Sequence, residues 1–101
     1  MPRDDVFRVA RRLRRLTLEP GWDKNALCRH HPEPDMWYPT KLDRMSGIRA
    51  MRICRGCPVR MECLAYAISR GETHGIWGGM TKRRRDTVAR ILGSIRERRS
   101  A

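Results

Sequence analysis

The 101-residue sequence predicts a small all-α domain of about four short helices, organised around a sulfur-ligated metal centre. Three observations carry that expectation. Apolar residues recur at helical spacing in separate segments, no stretch alternates long enough for a strand, and four cysteines fall in the pattern Cys-x25-Cys-x2-Cys-x5-Cys. A metal also answers a shortage of core-forming bulk. One Phe, two Tyr and three Trp accompany 34% charged residues, so burial alone is marginal, and small domains in that position add a metal, disulfides or a partner chain.

The elements follow in chain order. Residues 4 to 16 place Val6, Val9, Ala10, Leu13 and Leu16 on one helical face, with Asp4 or Asp5 as the cap. The opposite face holds Arg8, Arg11, Arg12, Arg14 and Arg15. Pro20-Gly21 ends this helix, and residues 22 to 28 form a short turn or helix that leads to the first cysteine. Pro32, Pro34 and Pro39 then require an irregular loop, because proline cannot sit inside a helix. A second helix is expected over about residues 41 to 54, its apolar side formed by Met45, Ile48 and Met51. Pro58 suits the start of a third helix, since its missing N–H is not needed there; Cys63, Leu64, Ala67 and Ile68 cluster on adjacent stripes and Gly71 is a natural C-cap. Gly75-Ile76-Trp77-Gly78-Gly79 reads as a turn, after which Thr81 caps a final helix over about residues 82 to 98 carrying Val88, Ile91, Leu92 and Ile95. The organisation is an arginine-rich N-terminal helix within residues 1–21, a metal-binding core over 22–79 and a basic C-terminal helix over 80–101.

The N-terminus has no apolar leader and nothing approaches the roughly 18 apolar residues of a membrane span, so the chain is expected in the cytosol and away from membranes. A reducing compartment disfavours structural disulfides, which makes Cys28, Cys54, Cys57 and Cys63 ligands before bridges. Cys54 and Cys57 can present two thiolates from a tight turn helped by Gly56, while Cys63 follows inside the next helix. The distant Cys28 closes the site, so metal loss should loosen the whole domain. Zinc and iron–sulfur clusters both use four thiolates; zinc sites favour two short pairs, whereas clusters tolerate one distant ligand, so the spacing favours iron–sulfur. A structural zinc module that binds nucleic acid stays open as the rival. His30 and His31 are adjacent in a polar loop and read as solvated. A disulfide reductase working through Cys54 and Cys57 in the metal-free form would want a βαβ setting that the pattern lacks. Neither a nucleophile–base pairing nor paired carboxylates are present, so no enzyme and no small-molecule substrate are expected.

Charge points to the partner. Twenty-three Lys and Arg oppose eleven Asp and Glu, giving net +12, and all but Lys24, Lys41 and Lys82 of the cations are arginine. The planar guanidinium suits phosphate, which puts nucleic acid ahead of a membrane surface or a merely soluble charged exterior. Lys82, Arg83, Arg84 and Arg85 open the last helix where acids would suit the macrodipole, an arrangement that bound phosphate would reconcile. With Arg90 on the same helix they are the candidate DNA-binding residues, for phosphate contact without visible base readout.

Cys54-x2-Cys57-Pro58-Val59-x3-Cys63-Leu64, followed by residues 75–79 and a basic run, resembles the WhiB-like transcription factors of actinobacteria and their phages. The resemblance covers about residues 22 to 90. It implies a [4Fe-4S] cluster on Cys28, Cys54, Cys57 and Cys63, a small all-helical fold, and binding to the C-terminal domain of the principal sigma factor of RNA polymerase, with response to oxygen or nitric oxide. It further implies that Trp37-Tyr38-Pro39 and Gly75, Ile76, Trp77, Gly78 and Gly79 border the cluster and the sigma contact, and that DNA contacts lie in the basic C-terminus. The Gly-Arg-Pro core of an AT-hook, used by some such proteins, is absent.

Overall fold

Helical periodicity and capping account for most of the observed elements: α1 (Asp4–Arg15), α2 (Arg44–Arg55), α3 (Arg60–Arg70) and α4 (Lys82–Ser100), with single 3-10 turns at Trp22–Asn25 and Pro34–Trp37. This computed structural model describes residues 4–100, and the expected cap at Asp4 or Asp5 lies outside the described side chains. Among the described residues there is no strand, only an isolated bridge between Trp77 and Met80.

Each helix end has a local cause. The Asp43 carboxylate accepts the Ser46 N–H at 3.2 Å and the Ser46 hydroxyl at 2.5 Å, so α2 starts three residues later than its apolar pattern suggested. Gly71 closes α3 in the left-handed region (φ 67°), and the Gly71 and Glu72 N–H groups donate to Ile68 and Ala67, which satisfies the last carbonyls as expected. The Thr81 hydroxyl accepts the Arg84 N–H at 3.4 Å at the start of α4.

Two apolar clusters result. The larger joins Val6, Val9, Ala10 and Leu13 of α1 to Met61 and Leu64 of α3 and to Met80, Val88 and Leu92 around α4, so the N- and C-terminal helices pack on one another and on α3. Leu64, Met80 and Val88 are fully buried, each stabilising the fold by roughly 1.5–3 kcal/mol. The smaller cluster, Met36, Trp37, Ala50, Cys54 and Ile76, underlies the cysteine region.

The face of α2 differs from expectation. Met45 and Ile48 are 60% and 38% exposed, and the buried stripe is Gly47, Ala50 and Cys54. Small side chains are what the neighbouring turn can accept: a Cβ on Gly47 would stand 3.0 Å from Pro39 Cγ and 3.4 Å from Ile76 Cδ1. The Pro34–Trp37 turn lies on this stripe with Met36 and Trp37 buried, leaving no room there for the bulky set.

Candidate metal centre

All four cysteines line one cavity of about 550 Å³. They arrive from three places: Cys28 from the loop after the first 3-10 turn, Cys54 and Cys57 from the end of α2 and the link beyond it, and Cys63 from the first turns of α3. Cys28 is exposed, Cys54 buried, and Cys57 and Cys63 lie between, all as free thiols. The local geometry follows from the backbone. Gly56 N–H donates to Ile53 and Cys57 N–H to Cys54, turning the chain directly after α2, and Cys63 N–H donates to Val59 at 2.9 Å to set it on α3.

Burial is the main pressure on the Cys63 thiol, pushing its pKa up to about 12; the negative charges of Cys54, Cys28 and Cys57 add to this, while a backbone hydrogen bond from Gly78 works against it. The Cys28 thiol is raised for the same reasons, burial first and then the charges of Cys54 and Cys57. The four sulfurs therefore feel one another, and holding them together as thiolates needs positive charge in the cavity.

No three Cys, His, Asp or Glu side chains among the described residues come together as a single ion would need. A lone tetrahedral zinc with Zn–S of about 2.3 Å draws its sulfurs to about 3.8 Å apart. The four thiols line the walls of a larger cavity, and no histidine lines it.

Aromatic rings wall the cavity. Tyr66 lies between Trp22 (centroids 5.5 Å, tilted) and Trp77 (5.8 Å, stacked), and the Arg70 guanidinium sits 5.6 Å from the Tyr66 ring centre. Trp37 is buried, only 6% exposed, and its indole Nε1–H donates to Cys54 Sγ at 3.3 Å. Tyr38, its neighbour, is 55% exposed. The expected aromatic pair thus divides: one ring supports the sulfur site and the other faces outward. Pro39 is exposed beside it and packs near Gly47.

The glycine-rich turn is held rather than loose. Trp77 and Met80 exchange N–H···O bonds of 3.1 and 3.0 Å across Gly78 and Gly79, whose φ values of 57° and 76° are those of a mirror-image two-residue turn. Arg60 Nε donates to the Gly78 carbonyl at 3.0 Å, and Ile76 N–H donates to the Trp37 carbonyl at 2.7 Å. Ile76 and Gly78 are buried, Gly75, Trp77 and Gly79 half-buried. Trp77 does not stand free above bare backbone: it stacks on Tyr66 and its Nε1–H donates to the His74 carbonyl at 2.9 Å.

Arg85 corrects the sequence reading of the basic run. It is 2% exposed, its Nη1 donating to the carbonyls of Gly75 (2.8 Å) and Met80 (3.0 Å) and its Nη2 to that of Glu72 (2.9 Å). A guanidinium buried on three carbonyls is a staple for the turn, not a phosphate contact. Burial is also the leading cause lowering its pKa. Of the other candidates, Lys82, Arg83 and Arg90 are exposed and Arg84 is half-buried. Lys82 pairs with Asp86 at 2.6 Å, one turn along, which relieves part of the charge crowding at this helix start.

Sequence reasoning passed over Trp22, Tyr66 and Arg60 as site residues. Tyr66 was within reach, since it follows Cys63 by three positions and shares its helical face. Arg60, three positions before Cys63 on α3, was equally within reach, whereas Trp22 meets the site only through the tertiary fold.

A four-helix chain whose thiols line an aromatic-walled cavity, closed by a pinned glycine turn and followed by a cationic helix, defines a class of small all-α proteins built around a shared thiol site. The family model described as Transcription factor WhiB matches residues 22–88. Similar relatives include Transcriptional regulator WhiB2 of Mycolicibacterium smegmatis, 42% identical over 72 residues covering 71% of this chain and 54% of the relative. Transcriptional regulator WhiB of Streptomyces coelicolor is 42% identical over 67 residues, 66% of this chain and 74% of the relative. Transcriptional regulator WhiB1 of Mycobacterium tuberculosis is 32% identical over 74 residues, 68% of this chain and 84% of the relative. The chain belongs to the WhiB family of transcription factors. It spans about half the length of the M. smegmatis WhiB2 relative. The matched region takes in the cysteines and the glycine turn; α1 and most of α4 lie outside it.

Proposed function

We propose that this regulator holds a [4Fe-4S] cluster on Cys28, Cys54, Cys57 and Cys63, docks by the rim of that site on the C-terminal domain of the principal sigma factor, and touches promoter DNA with α4. One observation carries the reading: four thiols from three segments line one aromatic-walled cavity that no histidine shares. When bound, such a cluster supplies a redox-active centre that can react with oxygen or nitric oxide. The protein's own part is to supply thiolates and shield them. Loading must release the proton that burial holds on Cys63. The Trp37 N–H is directed at Cys54 Sγ, and Arg29 and Arg60 on the cavity lining bring positive charge against the thiolates.

The proposed sigma contact uses Tyr38, Pro39 and Trp77 as accessible groups, with Gly75, Ile76, Gly78 and Gly79 shaping the turn beneath them. Phosphate contact falls to Lys82, Arg83, Arg84 and Arg90, Arg85 having been withdrawn by its burial. Residues 1–21, 22–79 and 80–101 then act as helical arm, cluster core and DNA-facing helix of one fold. The setting is the cytoplasm, at the nucleoid, with no turnover chemistry.

Anaerobic purification tests the centre. The expected product is brown, with iron and sulfide near four each per chain, and each single Cys→Ser variant loses the chromophore. A colourless protein carrying one zinc overturns the cluster reading. Co-purification with the sigma C-terminal domain under argon tests the partner: Trp77→Ala should keep the colour and lose the complex, whereas a complex that survives removes Trp77 from the contact.

A further inference from the structure

The arginines of α1 belong neither to the sulfur site nor to the part of the chain that matches the family. The inner face of the helix is fully used, with Val6, Val9, Ala10 and Leu13 buried in the larger core. Arg8, Arg11, Arg12 and Arg15 are exposed on the outer side. At helical spacing these four make like-charge neighbours at 8–11, 8–12, 11–15 and 12–15, each such pair disfavouring the helix by about 0.2–0.5 kcal/mol. Among the described residues none of the four has an ion pair. The only acids within α1 are Asp4 and Asp5, which precede Arg11, Arg12 and Arg15 by at least six positions. Solubility would be met as well by mixed or acidic charge, so a row made solely of arginine needs an external anion to explain it.

Its placement says which anion. α1 packs directly on α4, and the two helices together carry thirteen of the chain's 23 Lys and Arg. The cationic faces of α1 and of α4, with its exposed Lys82, Arg83 and Arg90, therefore belong to one packed pair of rods. From Arg8 to Arg15 the row runs about 10 Å along the helix axis, and a DNA duplex presents one charge per about 1.7 Å of axis, so the row passes roughly six phosphates. Guanidinium forks match phosphate oxygens in pairs, which ammonium groups do not.

We infer that the outer face of α1, Arg8, Arg11, Arg12 and Arg15, is a second phosphate-contacting surface that grips duplex DNA alongside α4. The inference rests on the reading of α4 as a DNA contact and extends it to a part of the chain beyond the family region. The contact is sequence-independent: it sets affinity and orientation, not base choice.

The test uses the full cluster-loaded chain and a fluorescent 30-base-pair duplex of arbitrary sequence, with binding measured by anisotropy over a salt series. In the variant Arg8→Gln/Arg11→Gln/Arg12→Gln/Arg15→Gln, glutamine keeps helix propensity, the core face is untouched and the four repulsive pairs are gone, so helicity and melting should match or exceed those of the parent. Loss of four phosphate contacts should lower the slope of log K against log salt by about 3 to 4, and make the fall in affinity between about 50 and 200 mM salt roughly a hundredfold shallower. An unchanged slope in the folded variant overturns the α1 surface while leaving α4 in place, as would an unchanged slope with weakened capture of the sigma domain, which gives the face to a protein partner. A parent chain that binds no duplex at any salt instead sinks the DNA reading itself, and the α1 surface with it. Arg83→Gln/Arg90→Gln reports α4 separately.

Discussion

Replacing Arg85 with alanine separates a structural staple from a DNA contact. The side chain is 2% exposed and donates to three carbonyls at 2.8–3.0 Å. Hydrogen bonds from a charged donor contribute about 1.5–3 kcal/mol each, and a buried acceptor left unpaired costs about 1–3 kcal/mol. The Met80 carbonyl keeps its second donor, the Trp77 N–H, so two carbonyls, Gly75 and Glu72, are orphaned. Both of those bonds are only partly buried, which places the expected loss near the lower end, about 3–4 kcal/mol. That is a large share of the roughly 5–15 kcal/mol that stabilises a domain. With a urea slope of about 1–3 kcal/mol per molar, the unfolding midpoint should fall by about 1–4 M, read by circular dichroism. Arg85→Lys should recover only part, because one ammonium cannot span carbonyls ten and thirteen residues away that a planar fork reaches together. Arg83→Ala, at an exposed site, should stay within about 0.5 kcal/mol of the parent. If Arg85→Ala melts like the parent yet loses duplex affinity as Arg83→Ala does, the staple account is wrong.

Three further outcomes follow from the site. Gly78→Ala would place a Cβ 2.7 Å from the Arg60 carbonyl oxygen and 2.8 Å from Leu64 Cβ, at φ 57°, so it should destabilise by about 2 kcal/mol or more and loosen the Trp77–Met80 turn, seen as a lower melting temperature with altered near-ultraviolet dichroism of the tryptophans. In the metal-free protein the folded state keeps Cys63 protonated to about pH 12 while an ordinary thiol ionises near 9; stability from this group is therefore complete below about pH 9 and declines as pH rises toward 12, checked by urea midpoints against pH with Cys63→Ser, in which Cys28 still titrates, as the shallower control. Trp37→Phe removes the N–H donated to Cys54 Sγ while keeping an aromatic ring in the core, so the loaded protein should be harder to reduce; an unchanged midpoint potential would mean that the indole does not face a ligating sulfur.

Much of the architecture was legible before any tertiary information. The α1 stripe of Val6, Val9, Ala10 and Leu13 is buried as its spacing implied, Gly71 ends α3 in the left-handed conformation, and the Thr81 hydroxyl accepts a backbone N–H in the first turn of α4. The cysteine pattern led to one cavity because thiols clustered in sequence by a tight turn and a helix start need only one distant partner to enclose a site. Of the apolar face expected for α2, Met51 packs against the smaller cluster, but Met45 and Ile48 were misjudged because spacing ranks them by hydrophobicity, while the turn packed against α2 selects for smallness at Gly47, Ala50 and Cys54. Arg85 was misjudged for a related reason: in sequence it is one cation in a run of four, and nothing local distinguishes the one whose carbonyl partners lie in the preceding loop.

The sequence by itself determined about where the helices run and that Cys54, Cys57 and Cys63 stand close along the chain, because those properties depend on neighbours within a few residues and on side-chain chemistry alone. Only the tertiary structure decided which face of α2 is covered, which arginine turns inward, that Trp37 donates to Cys54 while Tyr38 faces solvent, and that Trp22, Tyr66 and Trp77 stack into one wall. Those outcomes depend on which surfaces meet, and contact between segments distant along the chain is set by complementary volume and unsatisfied backbone carbonyls, quantities that no local pattern contains.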